Sequence, residues 1–141
     1  MNLGEYTWDT DPQGNFAGGK GLQMTPKALL KFGELIINQG KYNGRQIISK
    51  SYLKDSTKAQ SRGHIYYGTY GYQWWLKNWE EGPMRPKEEY NIICGIGFGG
   101  QFLFVVPDWE LIVVFTGKLI GAENFEYPQQ IFREDILASF K

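Results

Sequence analysis

Apolar positions along this chain change their period from segment to segment, and each change predicts an element. Residues 1–24 are rich in Gly, Asp and Trp without a sustained period and read as loop. From there Leu29, Phe32, Gly33 and Ile36 recur at helical spacing, and Leu30 with Ile37 widens that face. Thr25 is the predicted N-cap and Pro26 the first helical residue, with the stop at Gly40 after Asn38-Gln39. Lys41-Tyr42-Asn43-Gly44 reads as a turn, because Asn-Gly readily takes positive φ. Ile47-Ile48 reads as a short buried piece, followed by a second helix capped by Ser49 or Ser51 and reaching about Thr57. Residues 58–70 read as irregular, and Tyr70 to Leu76 has strand composition.

A polar, hairpin-like connection over 80–88 leads into the most apolar part of the chain. Glu89 to Ile96 reads as a strand running into Gly95-Ile96-Gly97-Phe98-Gly99-Gly100. Gln101 to Val106 and Glu110 to Thr116 follow, joined by a short link that makes them antiparallel. Both runs are apolar on both alternating faces, so both are expected to be central strands with each face of the sheet covered. Pro128 to Lys141 reads as a closing helix with Phe132, Ile136 and Phe140 on one stripe. Together these elements predict an α+β domain spanning residues 1–141, an antiparallel sheet of at least three strands flanked by helices.

Composition narrows the function classes. Lys plus Arg and Asp plus Glu both total 15, which removes the electrostatic signature of a nucleic-acid partner or a membrane surface. One cysteine, Cys94, excludes an internal disulfide. The start, Met1 to Glu5, is neither basic nor apolar enough for a signal peptide and reads as interior sequence. Aromatic residues make up 16%, a load that fills a core, lines a cleft, or both.

Few residues offer chemistry on their own. His64, the single histidine, lies in the irregular stretch and reads as a surface residue, and Cys94 reads as a buried strand cysteine. Trp75 and Trp79 are expected on one face with Trp74 on the other, lining a cleft or packing a core. Asp9, Asp11, Glu80 and Glu81 have no metal-cage spacing. Ser51-Tyr52-Leu53-Lys54 fits Ser-x-x-Lys, which reads either as nucleophile plus base or as a capped surface helix.

Four local patterns, in order along the chain, resemble one family. Leu3-Gly4, Trp8 and Asp11 with Gly14 come first. Gly18-Gly19-Lys20-Gly21-Leu22-Gln23-Met24-Thr25 follows, continued by Lys31-Phe32-Gly33 and Asn38-Gln39-Gly40. Asn43-Gly44-Arg45-Gln46-Ile47-Ile48-Ser49 is third. Tyr70-Gly71-Tyr72-Gln73-Trp74-Trp75 with Gly97-Phe98-Gly99-Gly100-Gln101-Phe102 through Val106-Pro107 is the last. This order resembles the class C β-lactamases and their relatives among penicillin-binding proteins and esterases. The resemblance implies the C-terminal part of a β-lactamase/transpeptidase-like fold, with the final pattern matching its active-site edge strand and that strand's neighbour.

Acyl transfer in that family needs an activated serine, a base and oxyanion donors. The resemblance places the family's Ser-x-x-Lys well upstream of the glycine turn, so Ser51 is out of position, and no Tyr-x-Asn or Ser-x-Asn occurs. Gly95-Ile96-Gly97 corresponds to the family's Lys-Thr-Gly triplet and keeps only its last glycine. By resemblance these three residues bind substrate and the Phe98 amide is an oxyanion donor. Losing the cation at Gly95 weakens the case for lactamase activity proper, and purely structural glycines are the competing reading. The expected chain is one wall of a serine-hydrolase cleft, silent alone, acting on a small acyl, lactam or peptide substrate. The missing N-terminal half would be its partner, a homodimer could form through an exposed sheet edge, and no cofactor or metal is implied. The alternative is a non-catalytic module binding peptidoglycan or peptide. Family habit alone suggests a periplasmic, membrane-anchored or secreted setting.

Overall fold

The computed structural model describes residues 1–64, 66–77, 92–121 and 123–140. The predicted connection over 80–88, Trp79 and the strand start at Glu89 lie outside them. The opening loop is held by a short antiparallel pair, β1 (Tyr6–Thr7) and β2 (Gln23–Met24). Helix α1 (Pro26–Ile37) begins as expected: the Thr25 hydroxyl accepts the Ala28 amide at 3.2 Å. Such a cap stabilises a helix by about 1 kcal/mol. Asn43 and Gly44, with φ of 47° and 76°, form the two-residue turn between β3 (Lys41–Tyr42) and β4 (Arg45–Gln46). Ile47 is exposed, contrary to the expected buried piece, and Ile48 alone of that pair reaches the core. Ser49 caps α2 (Lys50–Ser56), accepting the Tyr52 amide at 3.2 Å.

The main sheet has six strands: β5 (Ser61–His64), β6 (Gly68–Tyr70), β7 (Trp75–Lys77), β8 (Ile92–Gly97), β9 (Gln101–Val106) and β10 (Leu111–Phe115). Its order is β10-β9-β8-β7-β6-β5, antiparallel throughout, so each strand lies beside its neighbour in sequence. The stretch 58–70, expected to be irregular, supplies β5 and β6. Its polar residues hide them, because β5 is exposed along its length and its register with β6 shifts. Tyr70 to Leu76 is two strand ends around a turn, in which Gly71 donates its amide to the Trp74 carbonyl at 2.8 Å. Gln73 takes φ of 64° there.

The sheet is covered on both faces. Ile36 of α1 and Leu53 of α2 pack against Leu76, Ile93, Leu103 and Val105 on one face. A Cβ on Gly33 would come within 2.5 Å of the Ile112 side chain, so the missing side chain lets α1 approach β10. On the other face Phe132 stacks on Phe104 with centroids 4.1 Å apart, among Ile92, Cys94, Phe102, Val106 and Leu137. Each such side chain contributes about 1.5–3 kcal/mol by leaving water.

Two expectations need correction. Strand β10 is an edge, pairing only with β9 among the described residues, and all five of its residues are half-buried. Helices over both faces satisfy its apolar pattern without a second strand beside it. The closing helix starts earlier than Pro128: α3 (Glu123–Ile131) contains that proline, then widens into a π segment to Ile136 and tightens into a 3₁₀ turn to Phe140. Proline removes an amide from the helical ladder, and the irregular continuation follows directly. Phe140 is exposed, although its ring stacks on Trp109 at 5.6 Å.

Candidate active-site wall

Strand β8 lies inside the sheet for half its length only. Lys77 pairs with Ile92, Leu76 with Ile93 and Trp75 with Cys94. At Trp74 the chain turns away, so among the described residues Gly95, Ile96 and Gly97 pair only with Leu103, Phe102 and Gln101 of β9. The family resemblance places the active-site edge strand here, and the geometry divides that reading. Residues 92–94 are interior, while 95–97 have no second strand beside them among the described residues. Backbone amides and carbonyls alternate between the two sides of a strand, so part of this edge is available to an extended ligand.

The tip of the β8–β9 hairpin is built by glycines. Gly99 and Gly100 take φ of 83° and 85°, which lets the chain reverse across residues 98–100 without a register shift. These two glycines are structural. Gly95 and Gly97 are not in the left-handed region. A Cβ at Gly95 would meet Trp74 at 3.6 Å and Leu103 at 3.7 Å, ordinary contact distances, so packing does not demand its absence. One at Gly97 would press on the Gln101 side chain at 3.1 Å. The tip is anchored to the loop after β10. Leu119 donates its amide to the Gly99 carbonyl at 3.1 Å, and the Gln101 side-chain amide donates to the carbonyls of Gly99 and Gly117. The backbone around the Phe98 amide is therefore held from two sides, while the Phe98 ring is 80% exposed.

Aromatic side chains flank the open edge on both faces. Trp74 lies over Gly95 on the α1 face. On the α3 face a run of rings leads away from the tip. Centroids are 6.3 Å apart for Phe98–Phe125, 5.8 Å for Phe125–Tyr67, 5.3 Å for Tyr67–Trp75 and 4.5 Å for Trp75–Tyr70. Trp74 and Trp75 thus take opposite faces as their alternation predicts. Tyr67 and Phe125 escaped sequence reasoning because one sits in a stretch read as irregular and the other in a helix expected to start later.

The remaining candidates fall elsewhere. Ser51 is exposed on the first turn of α2, its hydroxyl 3.3 Å from that of Ser49. His64 is exposed on β5, its ring 5.0 Å from that of Tyr67, and its Nδ1 accepts the Tyr66 amide at 3.3 Å. Cys94 is wholly buried, and burial pushes its thiol up to about 12, so it is a packing residue without access to a reactant. Asp9 and Asp11 line a shallow surface pocket of about 460 Å³ in the opening loop, away from β8 in the sequence. The Asp11 carboxylate accepts the backbone amides of Gln13 and Asn15, each at 2.9 Å, and the Asn15 side-chain amide. These bonds, the Asn15 side chain's first, hold its pKa below the ordinary value.

One buried charge was not anticipated. Lys77 is 3% exposed, beside Cys94 and under α3. Its ammonium group donates to the Gln129 side-chain oxygen and to the Tyr66 carbonyl, tying β7 to α3 and to the β5–β6 turn. Burial lowers its pKa to about 8, opposed by Cys94 and assisted by Arg133. The sequence signal was its place two residues after Trp75, on the same face of β7.

No family model matches the chain. It is 28% identical over 114 residues to an uncharacterized protein of Alkalihalophilus pseudofirmus, a match covering 75% of this chain and 33% of that protein. The chain therefore spans about a third of the curated relative's length. Among solved structures, a provisionally assigned 6-aminohexanoate-dimer hydrolase from Bacillus anthracis matches with a TM-score of 0.64 and 23% identity. That likeness covers 94% of this chain and 33% of the other. A provisionally assigned β-lactamase from Bacteroides dorei matches with a TM-score of 0.69 and 18% identity, covering 93% of this chain and 44% of the other. Identities this low speak to architecture alone: the chain has a β-lactamase-like α+β fold, an antiparallel sheet flanked by helices.

Proposed function

We propose that this chain forms one wall of the cleft in a β-lactamase-related serine hydrolase that transfers acyl groups from lactam, ester or peptide substrates. The observation that carries this reading is the edge of β8, open over Gly95-Ile96-Gly97 and ending at the anchored Phe98 amide, within a β-lactamase-like fold. An extended substrate lies along that edge, and Gly97 lets it approach the backbone. The Phe98 amide faces the oxygen that gains charge as the carbonyl is attacked, and a fixed donor there lowers the barrier. The serine, its lysine and the Tyr-x-Asn come from the N-terminal half of the longer protein, in keeping with a match that spans a third of its relative. The apolar edge of β10 is the surface that this half, or a second copy in a homodimer, would cover.

The test is hydrolysis of nitrocefin and p-nitrophenyl acetate, alongside labelling with a fluorescent penicillin read by intact mass. The chain alone should give no turnover and no adduct, and the longer protein should give both. Replacing Phe98 by proline, which removes the amide, should cut kcat in the longer protein about 10²–10³-fold, the loss expected for one oxyanion donor. A stoichiometric adduct on Ser51 of the chain alone would overturn the proposal.

A further inference from the structure

We infer that Asn43, at the tip of the β3–β4 hairpin, is a self-modification site: its side chain closes on the Gly44 amide, loses ammonia and leaves an isoaspartyl bond that opens the hairpin. The inference is independent of the acyl-transfer reading, because it involves no residue of β8. Asn43 is the only asparagine in the sequence followed by glycine. Both residues are exposed, and a Cβ at Gly44 would meet nothing within 4 Å, so nothing crowds the reacting amide. The Asn43 side chain has no hydrogen-bond partner among the described residues. Asn15 and Asn2 differ. The Asn15 side-chain amide donates to the Asp11 carboxylate at 3.0 Å, and Asn2 Oδ1 accepts the Gly4 amide at 2.8 Å. Each precedes a bulky residue, Phe16 and Leu3, whose side chain hinders attack by its own amide.

The chemistry needs only water. A solvent base takes the Gly44 amide proton, and the nitrogen attacks Asn43 Cγ. The N–Cγ bond forms, the Cγ–Nδ2 bond breaks, and Nδ2 leaves as ammonia, taking up a proton. Nucleophile and carbonyl sit on adjacent residues, so the step is intramolecular. Water then opens the five-membered imide. Cleavage at the Asn43 main-chain carbonyl routes the backbone through Cγ, one methylene longer, and frees a carboxylate. Cleavage at Cγ gives aspartate.

Ring closure fixes the backbone torsion between Asn43 and Gly44 away from that of the closed turn, so the tip must open first. That opening is local. Strands β3 and β4 share two residue pairs, Lys41 with Gln46 and Tyr42 with Arg45, and so short a ladder is marginal. At its base the Ile47 and Ile48 amides donate to the Gly40 carbonyl at 2.8 and 3.1 Å, which holds the end of α1 in place while the tip opens. The lengthened backbone no longer fits a two-residue turn, whose closure needs φ of 47° and 76° at these positions. Lys41 and Arg45, both exposed, then flank a loosened tip.

The test incubates the full chain in mildly alkaline buffer and maps deamidation by peptide mass spectrometry with fragmentation that separates isoaspartate from aspartate. Residue 43 should convert first, mainly to isoaspartate, with a rate rising about tenfold per pH unit because the deprotonated amide is the nucleophile. The folded chain should react within about tenfold of the urea-unfolded chain, since opening a marginal hairpin costs little. Trypsin should cut the aged protein after Lys41 and Arg45 faster than it cuts Asn43→Asp, because Asp-Gly keeps the backbone length and the turn. Conversion seen only in urea, a first product at another asparagine, or aged protein cut no faster than Asn43→Asp would each overturn the inference.

Discussion

Ile92, Ile93 and Cys94 are paired on both sides and buried, whereas Gly95, Ile96 and Gly97, continuing the same strand, are half-buried and pair only with β9 among the described residues. The two halves have different compositions. The first carries side chains that fill both faces of the sheet. The second sets Ile96 between two glycines, and under the proposed reading its backbone is what a ligand would approach. The division comes from the neighbouring strand: β7 stops at Trp75, and that stop turns an interior strand into an edge.

Substitutions can break or sharpen this contrast. The largest effect belongs to the paired half. Phe104 is the partner of Cys94 on β9 and stacks on Phe132, so Phe104→Ala should cost about 3–5 kcal/mol, measured by urea denaturation. A loss below about 1 kcal/mol would mean that this half is not the centre of the core.

Lys77, partner of Ile92, gives a pH-dependent effect on the same half. Unfolded, it titrates near 10.5, and folded near 8, because burial disfavours the charge. Below pH 8 both states carry the proton and the burial penalty is felt in full. Between 8 and 10.5 the unfolded state binds more protons, so stability rises with pH. Cys94 acts oppositely above its ordinary value of 9.0, since burial raises its thiol to about 12 when folded. The clean window is therefore pH 8 to 9, where stability should climb by about 1 kcal/mol. Urea midpoints across that window should lose this slope in Lys77→Met.

The open half should respond weakly. Gly97→Ala presses on Gln101 and should cost about 0.5–1 kcal/mol by the same urea measurement. Gly95→Ala meets only ordinary contacts and should change stability by less than about 0.5 kcal/mol. Were Gly95→Ala as damaging as Phe104→Ala, the distinction between a structural and a functional half would fail.

Elements carried by local chemistry were legible in the sequence. Thr25-Pro26 starts α1, Asn43-Gly44 turns its hairpin, and the apolar run of β9 has the bounds its pattern predicts. What was hidden depends on neighbours. Strands β5 and β6 are polar or half-exposed, so lateral pairing, which no local period reports, creates them. The edge position of β10 was missed because its residues pack against both core clusters, so both of its faces are apolar although each is only half-buried. Of the candidate wall, Gly95 to Phe98 were proposed through resemblance, while Tyr67, Phe125 and Lys77 come together only through the tertiary fold.

Because every strand of the main sheet lies beside its neighbour in sequence, the sheet can assemble by successive local hairpins instead of waiting for distant segments to meet. Short-range pairings close small loops and are quickly reached, so chain order sets the order of assembly. The exception is α1, which precedes the sheet yet packs on β9 and β10 at its far side. Docking that helix is the step that must span most of the chain, and it should therefore set the pace at which this polypeptide becomes native.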